Sequence, residues 1–165
     1  MSQLHWDLIK FPSTRGNSPS SEFAVWLICF TGAVLAAIGS VSSWANVSGE
    51  RFIDDRIERF SVYGTVGDGD ATLILALISC FLILWRIVLP RTSSFVPAIA
   101  AVLLLVIAVV GMLNWADVSH IPGVYEPGKY FRSGATVGWG LILVTVSSAI
   151  TASLLAYQIW RQELR

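Results

Sequence analysis

Four apolar runs, Phe23 to Val41, Ala71 to Leu89, Phe95 to Leu113 and Val137 to Trp160, alternate with polar stretches along the chain. Each is long enough to cross a hydrocarbon core of about 30 Å at about 1.5 Å per helical residue. Apart from Arg86, near the end of the second run, none contains an internal Asp, Glu, Lys, Arg or His. Lipid offers no partner to backbone N–H and C=O groups, so each run is predicted to be a helix and not a strand. Asp70 is placed to cap the second helix and Pro90 to stop it, while Ser94 is placed to cap the third with Pro97 in its first turn. The length of the first run and the polar leader before it argue for a retained span and against a cleaved signal peptide.

The polar stretches repeat. "WANVS" at Trp44–Ser48 returns as "WADVS" at Trp115–Ser119, and "TVGDG" at Thr65–Gly69 returns as "TVGWG" at Thr136–Gly140; each pair is 71 positions apart (44 to 115, 65 to 136), as are Phe60 and Phe131. One ungapped register that aligns rare tryptophans and glycines together is improbable by chance. The repeated unit is helix, outer loop, helix, and a unit with two crossings returns the chain to its starting side. The prediction is therefore an all-α membrane protein: a four-transmembrane-helix bundle of two parallel helix-loop-helix repeats related by a pseudo-twofold along the membrane normal. The divisions are a tail over 1–22, the first repeat over 23–89, a link over 90–94, the second repeat over 95–160 and a tail over 161–165.

Composition agrees with lipid as the solvent. Hydrophobic residues make up 55% of the chain and charged residues 13%, against about half and about a quarter in soluble domains. The formal net charge is zero, so no basic stripe exists to neutralise phosphates and nucleic acid is excluded as a partner. Basic residues lie closest to helix ends in the short link, Arg86 and Arg91, and in the tail after Trp160, which places both termini in the cytoplasm of a plasma-membrane protein. Trp26, Trp85 and Trp160 fall at one boundary and Trp44, Trp115 and Trp139 at the other, the distribution of aromatic interface anchors.

Each outer loop starts with a β-prone "WANV" or "WADV" and ends with "FSVYGTV" or "FRSGATV". Paired, these four stretches predict a small extracellular β-sheet cap. Between them the copies differ. "RFIDDRIERF" has Ile53, Ile57 and Phe60 at helical spacing with Arg51, Asp55 and Arg59 as an alternating-charge ladder, which predicts a short helix and a candidate partner surface. Its counterpart "IPGVYEPGKY" is broken by prolines and glycines and reads as irregular.

"GDGD" at Gly67, Asp68, Gly69 and Asp70 invites a cation-site reading, but the further oxygen ligands of a calcium loop are absent. The preferred reading is a structural turn and cap: glycines for positive φ, and Asp70 on the helix N-terminus. In the second copy Gly138 and Gly140 keep the turn while Trp139 replaces Asp68. Cys29 and Cys80 lie inside helices, and His5 and His120 lie on opposite sides, so neither a disulfide framework nor a metal centre is expected. Asp117, Ser119 and His120 are neighbours in sequence without the pattern of a triad, and no enzymatic activity or cofactor is expected. Asn114, Thr145, Ser147, Ser148 and Thr151 are the polar groups near the spans and are expected to hydrogen-bond across helices. The small residues Gly32, Ala36 and Ser40, and Ser148, Ala152 and Ala156, form stripes for close helix approach.

With Trp44 after the first helix and "GDG" opening the second, the chain resembles small bacterial four-span proteins with a tryptophan-led outer loop and a Gly-Asp-Gly turn. Its layout is similar to that of the claudin-type tetraspans, in arrangement only, since the first loop has no cysteine pair. Neither resemblance implies a catalytic or ligand-binding residue. The expectation is a non-enzymatic accessory, scaffold or assembly subunit in the lipid bilayer, with a membrane-protein partner or a second copy of itself. The alternative is a small channel or transporter subunit that works as an oligomer.

Overall fold

A computed structural model describes residues 19–51, 57–89, 93, 95–120 and 130–163. Four helices, α1 (Pro19–Val41), α2 (Gly69–Val88), α3 (Phe95–Ala116) and α4 (Trp139–Glu163), are joined by segments that contribute three strands, β1 (Ser43–Arg51), β2 (Ile57–Tyr63) and β3 (Tyr130–Val137). All four helices are long and apolar enough to cross a membrane, and the chain is a multi-pass membrane protein on that ground. Their outward faces carry large apolar side chains such as Phe23, Ile74, Phe81, Val102, Leu105 and Ile150, as a lipid-facing surface requires.

The helices form a ring in which α1 and α3 each pack against both α2 and α4. The helix α4 is the most enclosed, with half of its span buried, and it is also the least apolar of the four. The two properties have one cause, since Thr145, Ser147, Ser148 and Thr151 are all buried in the bundle. These hydroxyls were expected to bond across helices, and the structure corrects this. Thr145 donates to the Leu141 carbonyl, Ser147 to Leu143 and Thr151 to Ser147, each at 2.7 Å and each within α4. A carbonyl one turn back is always within reach in a helix, whereas a partner on another helix needs a matching position. Among the described residues, the hydroxyl that does cross is Thr72 Oγ1 of α2, which donates to Ser40 Oγ of α1 at 2.9 Å.

Three glycines let the helices approach closely. A Cβ at Gly39 would lie 2.6 Å from the backbone nitrogen of Val144 and 2.9 Å from the Gly140 carbonyl oxygen, so α1 and α4 approach backbone to backbone there. A Cβ at Gly32 would overlap Thr151 Oγ1, and one at Gly111 would overlap Thr145 Oγ1. Both threonine hydroxyls are held by carbonyls of their own helix and cannot swing aside without losing that bond. Gly32→Ala and Gly111→Ala are each expected to destabilise the bundle by about 1–2 kcal/mol, the usual cost of overpacking, read from the unfolding midpoint in mild detergent.

The sheet caps one end of the ring in the order β2-β1-β3, with β1 antiparallel to both neighbours. Val47 lies opposite Phe60 on one side and Ala135 on the other. Strand residues alternate between faces: Ala45, Val47 and Gly49 are buried against the bundle, while Asn46 and Ser48 are exposed. Two expectations about the cap are overturned. "WADV" is not a strand, because α3 continues through Trp115 to Ala116 and Val118–His120 form a 3₁₀ turn; both edges of β1 are already taken by β2 and β3. Nor does "RFIDDRIERF" form a helix, since Arg51 ends β1 and Ile57 to Phe60 belong to β2. Ladder pairing with β1 overrides the helical spacing of a segment too short to hold a helix by itself. Ile53 and Asp55 lie outside the described residues, as do residues 121–129, Pro90 and Ser94. At the start of α3, Ser93 Oγ accepts from the Phe95 N–H at 3.3 Å, and Pro97 is fully buried in the first turn.

Candidate functional site

The best-defined feature of the molecule is the junction between cap and bundle, built on the segment Ser40–Ala45 where α1 gives way to β1. Trp44 is fully buried, and its indole Nε1 donates to the Gly39 carbonyl at 3.0 Å, so the ring folds back over the end of its own helix. Gly64 lies directly against it: a Cβ there would sit 2.5 Å from Trp44 Nε1 and would overlap the Ser40 carbonyl. Gly69 in turn packs on the backbone of Gly64, with the Ser40 carbonyl 2.5 Å from where its Cβ would be. The Ser40 hydroxyl accepts from Thr72 at 2.9 Å and donates to the Ala36 carbonyl at 2.9 Å.

The glycine turn of the second copy docks on the same segment. The Gly138 N–H donates to the Trp44 carbonyl at 2.8 Å, and a Cβ at Gly140 would lie 2.6 Å from Ser42 Cβ. Both glycine turns therefore converge on one stretch, Ser40–Ala45. The turns nonetheless differ locally. Thr65 and Val66 belong to a 3₁₀ turn, Gly64–Val66, whereas their counterparts Thr136 and Val137 end strand β3. Gly64 must leave the sheet to slip beneath Trp44; its counterpart Ala135 carries a Cβ and stays in register opposite Val47.

The glycines do not supply positive φ, contrary to expectation. Gly67 has φ −129°, and Gly64, Gly69, Gly138 and Gly140 are required by close approach. The capping position of α2 is Asp68 and not Asp70, since the first helical bond runs from the Thr72 N–H to the Asp68 carbonyl at 3.0 Å. The Asp68 carboxylate makes no cap bond; it accepts from Asn114 Nδ2 of α3 at 3.0 Å. Asn114 also donates to the Val110 carbonyl, which ties the last turn of α3 to the first turn of α2. Asp70 is exposed in that first turn.

The six boundary tryptophans divide into two groups. Trp85, Trp115, Trp139 and Trp160 are 41–60% exposed, on the outer surface of the helices. Trp44 and Trp26 are buried, so these two pack the interior instead of anchoring at the interface. The ring of Trp26 has the Arg86 guanidinium 5.4 Å from its centroid. A belt assignment from position along a helix says nothing about which face the ring occupies, and that is what separates Trp44 from its counterpart Trp115.

The middle of the sheet's outward face is polar. Ser61 Oγ donates to Asn46 Oδ1 at 2.9 Å, and Thr136 Oγ1 lies 3.4 Å from the Asn46 carbonyl. Along β2 this face also carries Arg59 and the exposed apolar side chains of Ile57 and Tyr63, followed by Val66 in the 3₁₀ turn. Of the candidate partner residues, Ile57 and Arg59 are thus together on one exposed strand face, and Arg51 is the last residue of β1. Sequence spacing suggested a helix there; the strand signal was the alternation of polar Arg59 and Ser61 with apolar Phe60 and Val62.

Titratable and nucleophilic groups are scattered. His120 Nδ1 meets the Asp117 carboxylate within a single exposed turn. Among the described residues, no group of three or more His, Cys, Asp or Glu side chains converges. Cys29 is buried in α1 and Cys80 half-buried in α2, both as free thiols. No family model, curated protein or solved structure matches the chain.

Proposed function

We propose that the protein is a non-enzymatic accessory, scaffold or assembly subunit of a membrane complex, which offers its cap to a membrane-protein partner or to a second copy. The observation that carries this reading is the exposure of Tyr63 and Val66, 54% each, at one end of β2, and of Ile57, 67%, at its other end, on a cap outside the spanning helices. Exposed apolar side chains held on a rigid element are available as contact points for a partner. The cap that presents them is fixed to the bundle by backbone contacts at Gly64, Gly69, Gly138 and Gly140. A rigid platform lowers the entropy lost on binding.

The alternative, a channel or transporter subunit, is less well supported. The buried hydroxyls of Thr145, Ser147 and Thr151 are each engaged by a carbonyl of their own helix, which gives no reason to read them as a conducting path. In this proposal both termini are cytoplasmic, both copies run the same way across the plasma membrane, and the cap faces outward.

Two measurements test it. A photo-crosslinking residue at Ile57 or Tyr63 in native membranes is expected to capture a discrete species; a strictly monomeric protein with no reproducible adduct would overturn the scaffold reading. Ser48→Cys and Thr136→Cys are expected to react with an impermeant thiol reagent from outside intact cells, and Ser93→Cys only after permeabilisation. The reverse pattern would invert the topology.

A further inference from the structure

We propose that the end of the bundle opposite the cap holds the phosphate of an anionic phospholipid, with the Arg86 guanidinium as the contacting group and Trp26 as the residue that positions it. Arg86 lies in the last turn of α2, where its guanidinium carbon is 5.4 Å from the centroid of the Trp26 ring. Trp26 is 9% exposed and part of the packed core, so the surface that receives the cation is fixed by α1. The Nε of Arg86 is buried and has no acceptor, and no carboxylate among the described residues pairs with this side chain.

A partly buried cation without a counterion is costly, and contact with a ring face offsets this only in part. With Nε enclosed, the Nη groups are the donors left to meet an anion, and their end-on pair can take two of its oxygens. Depth decides its source. From Gly69 to Arg86 the helix runs about 25 Å, so Arg86 lies close to the far edge of a hydrocarbon core of about 30 Å. The exposed rings of Trp85 and Trp160 mark the same end. A phospholipid places its phosphate at that level, and the arginine fork matches phosphate geometry in a way that a lysine ammonium does not. Basic pockets between helices at a membrane surface bind acidic headgroups for the same reason.

The inference rests on the membrane-spanning reading and is independent of any protein partner. It is tested by native mass spectrometry of the full chain in detergent, titrated with phosphatidylglycerol, with phosphatidylcholine and with inorganic phosphate. Wild type is expected to prefer phosphatidylglycerol over phosphatidylcholine about fivefold, the value of one well-placed basic residue at a membrane surface. R86Q should abolish that preference and R161Q, at the same end of α4, should keep it. Equal binding of the two lipids by wild type, or an undiminished preference in R86Q, would overturn the proposal. Binding of inorganic phosphate that is as strong and equally dependent on Arg86 would replace the lipid with a free anion and overturn it as well. Should R86Q not survive purification, R86K decides: a preference reduced about threefold or more supports the fork, and an unchanged one refutes it. A protein that leaves native membranes without detergent would instead refute the spanning reading itself, whatever the lipid titration gives.

Discussion

Trp44→Ala is expected to lower the stability of the protein by about 3–5 kcal/mol, the usual cost of truncating a fully buried aromatic side chain, while Trp115→Ala is expected to cost less than about 1 kcal/mol, as at other exposed positions. The two residues begin the same repeated sequence, so a reading from the repeat alone would give them equal weight. Their surroundings differ. Trp44 has 0% exposure and a hydrogen bond to the Gly39 carbonyl at 3.0 Å, whereas Trp115 is 41% exposed at the end of α3. Removing the Trp44 ring leaves a void between the end of α1, Gly64 and β1, and it takes from the Gly39 carbonyl one of its two donors, leaving the Ser42 N–H at 3.2 Å. Trp44→Phe should recover much of the packing and not the hydrogen bond, and so fall between wild type and Trp44→Ala. Denaturant titration in mild detergent, followed by circular dichroism, measures all three against wild type. Equal losses for Trp44→Ala and Trp115→Ala would mean that the cap is symmetric in solution and that Trp44 is not its centre.

Gly64→Ala is the second large effect, expected at about 2–3 kcal/mol, near the upper end of overpacking penalties. The added methyl would overlap the Ser40 carbonyl and lie 2.5 Å and 2.7 Å from Trp44 Nε1 and Cε2. None of these atoms is the free end of a flexible chain; one is helix backbone and the others belong to a ring enclosed on all sides. Relief requires β2 to move away from α1, which pulls Gly69 off the Gly64 backbone and weakens the start of α2. Gly134→Ala is the matched control. Its nearest neighbour would be Ser48 Oγ at 3.7 Å, an ordinary contact, and the change should stay within about 0.5 kcal/mol, as for an open surface position. If both alanines are silent, the junction tolerates separation and the cap is not fixed to the bundle by close contact.

The same junction explains which half of a repeated sequence can be read in advance. "TVGDG" and "TVGWG" recur because Gly69 and Gly140 each meet the Ser40–Ser43 stretch, a shared demand for absent side chains. That demand leaves a mark on the sequence, and the glycines were accordingly legible as structural residues. Their reason was not, since a turn glycine and a close-contact glycine look alike until the opposing backbone is known. Asn114 and Asp68 show the same limit: they are 46 positions apart, and no local pattern announces the pair. Arg86 stood out as a charge at the end of an apolar run, but its contact with Trp26 depends on how α1 and α2 are rotated about their axes.

The spans are therefore properties of the sequence itself. A helix in lipid satisfies its backbone within the segment, so length and apolarity suffice to specify it. Three of the four β-prone stretches do form the cap, but which strand pairs with which belongs to the tertiary structure alone. A strand takes its hydrogen-bond partners from elsewhere in the chain, and β1 has two claimants, β2 close by and β3 about 90 positions on, as in the pairing of Asn46 with Thr136. Once both edges of β1 are occupied, "WADV" has no strand to join and stays with α3. Only one of the two matched tryptophans can then be covered, and packing, not the repeat, decides that it is Trp44.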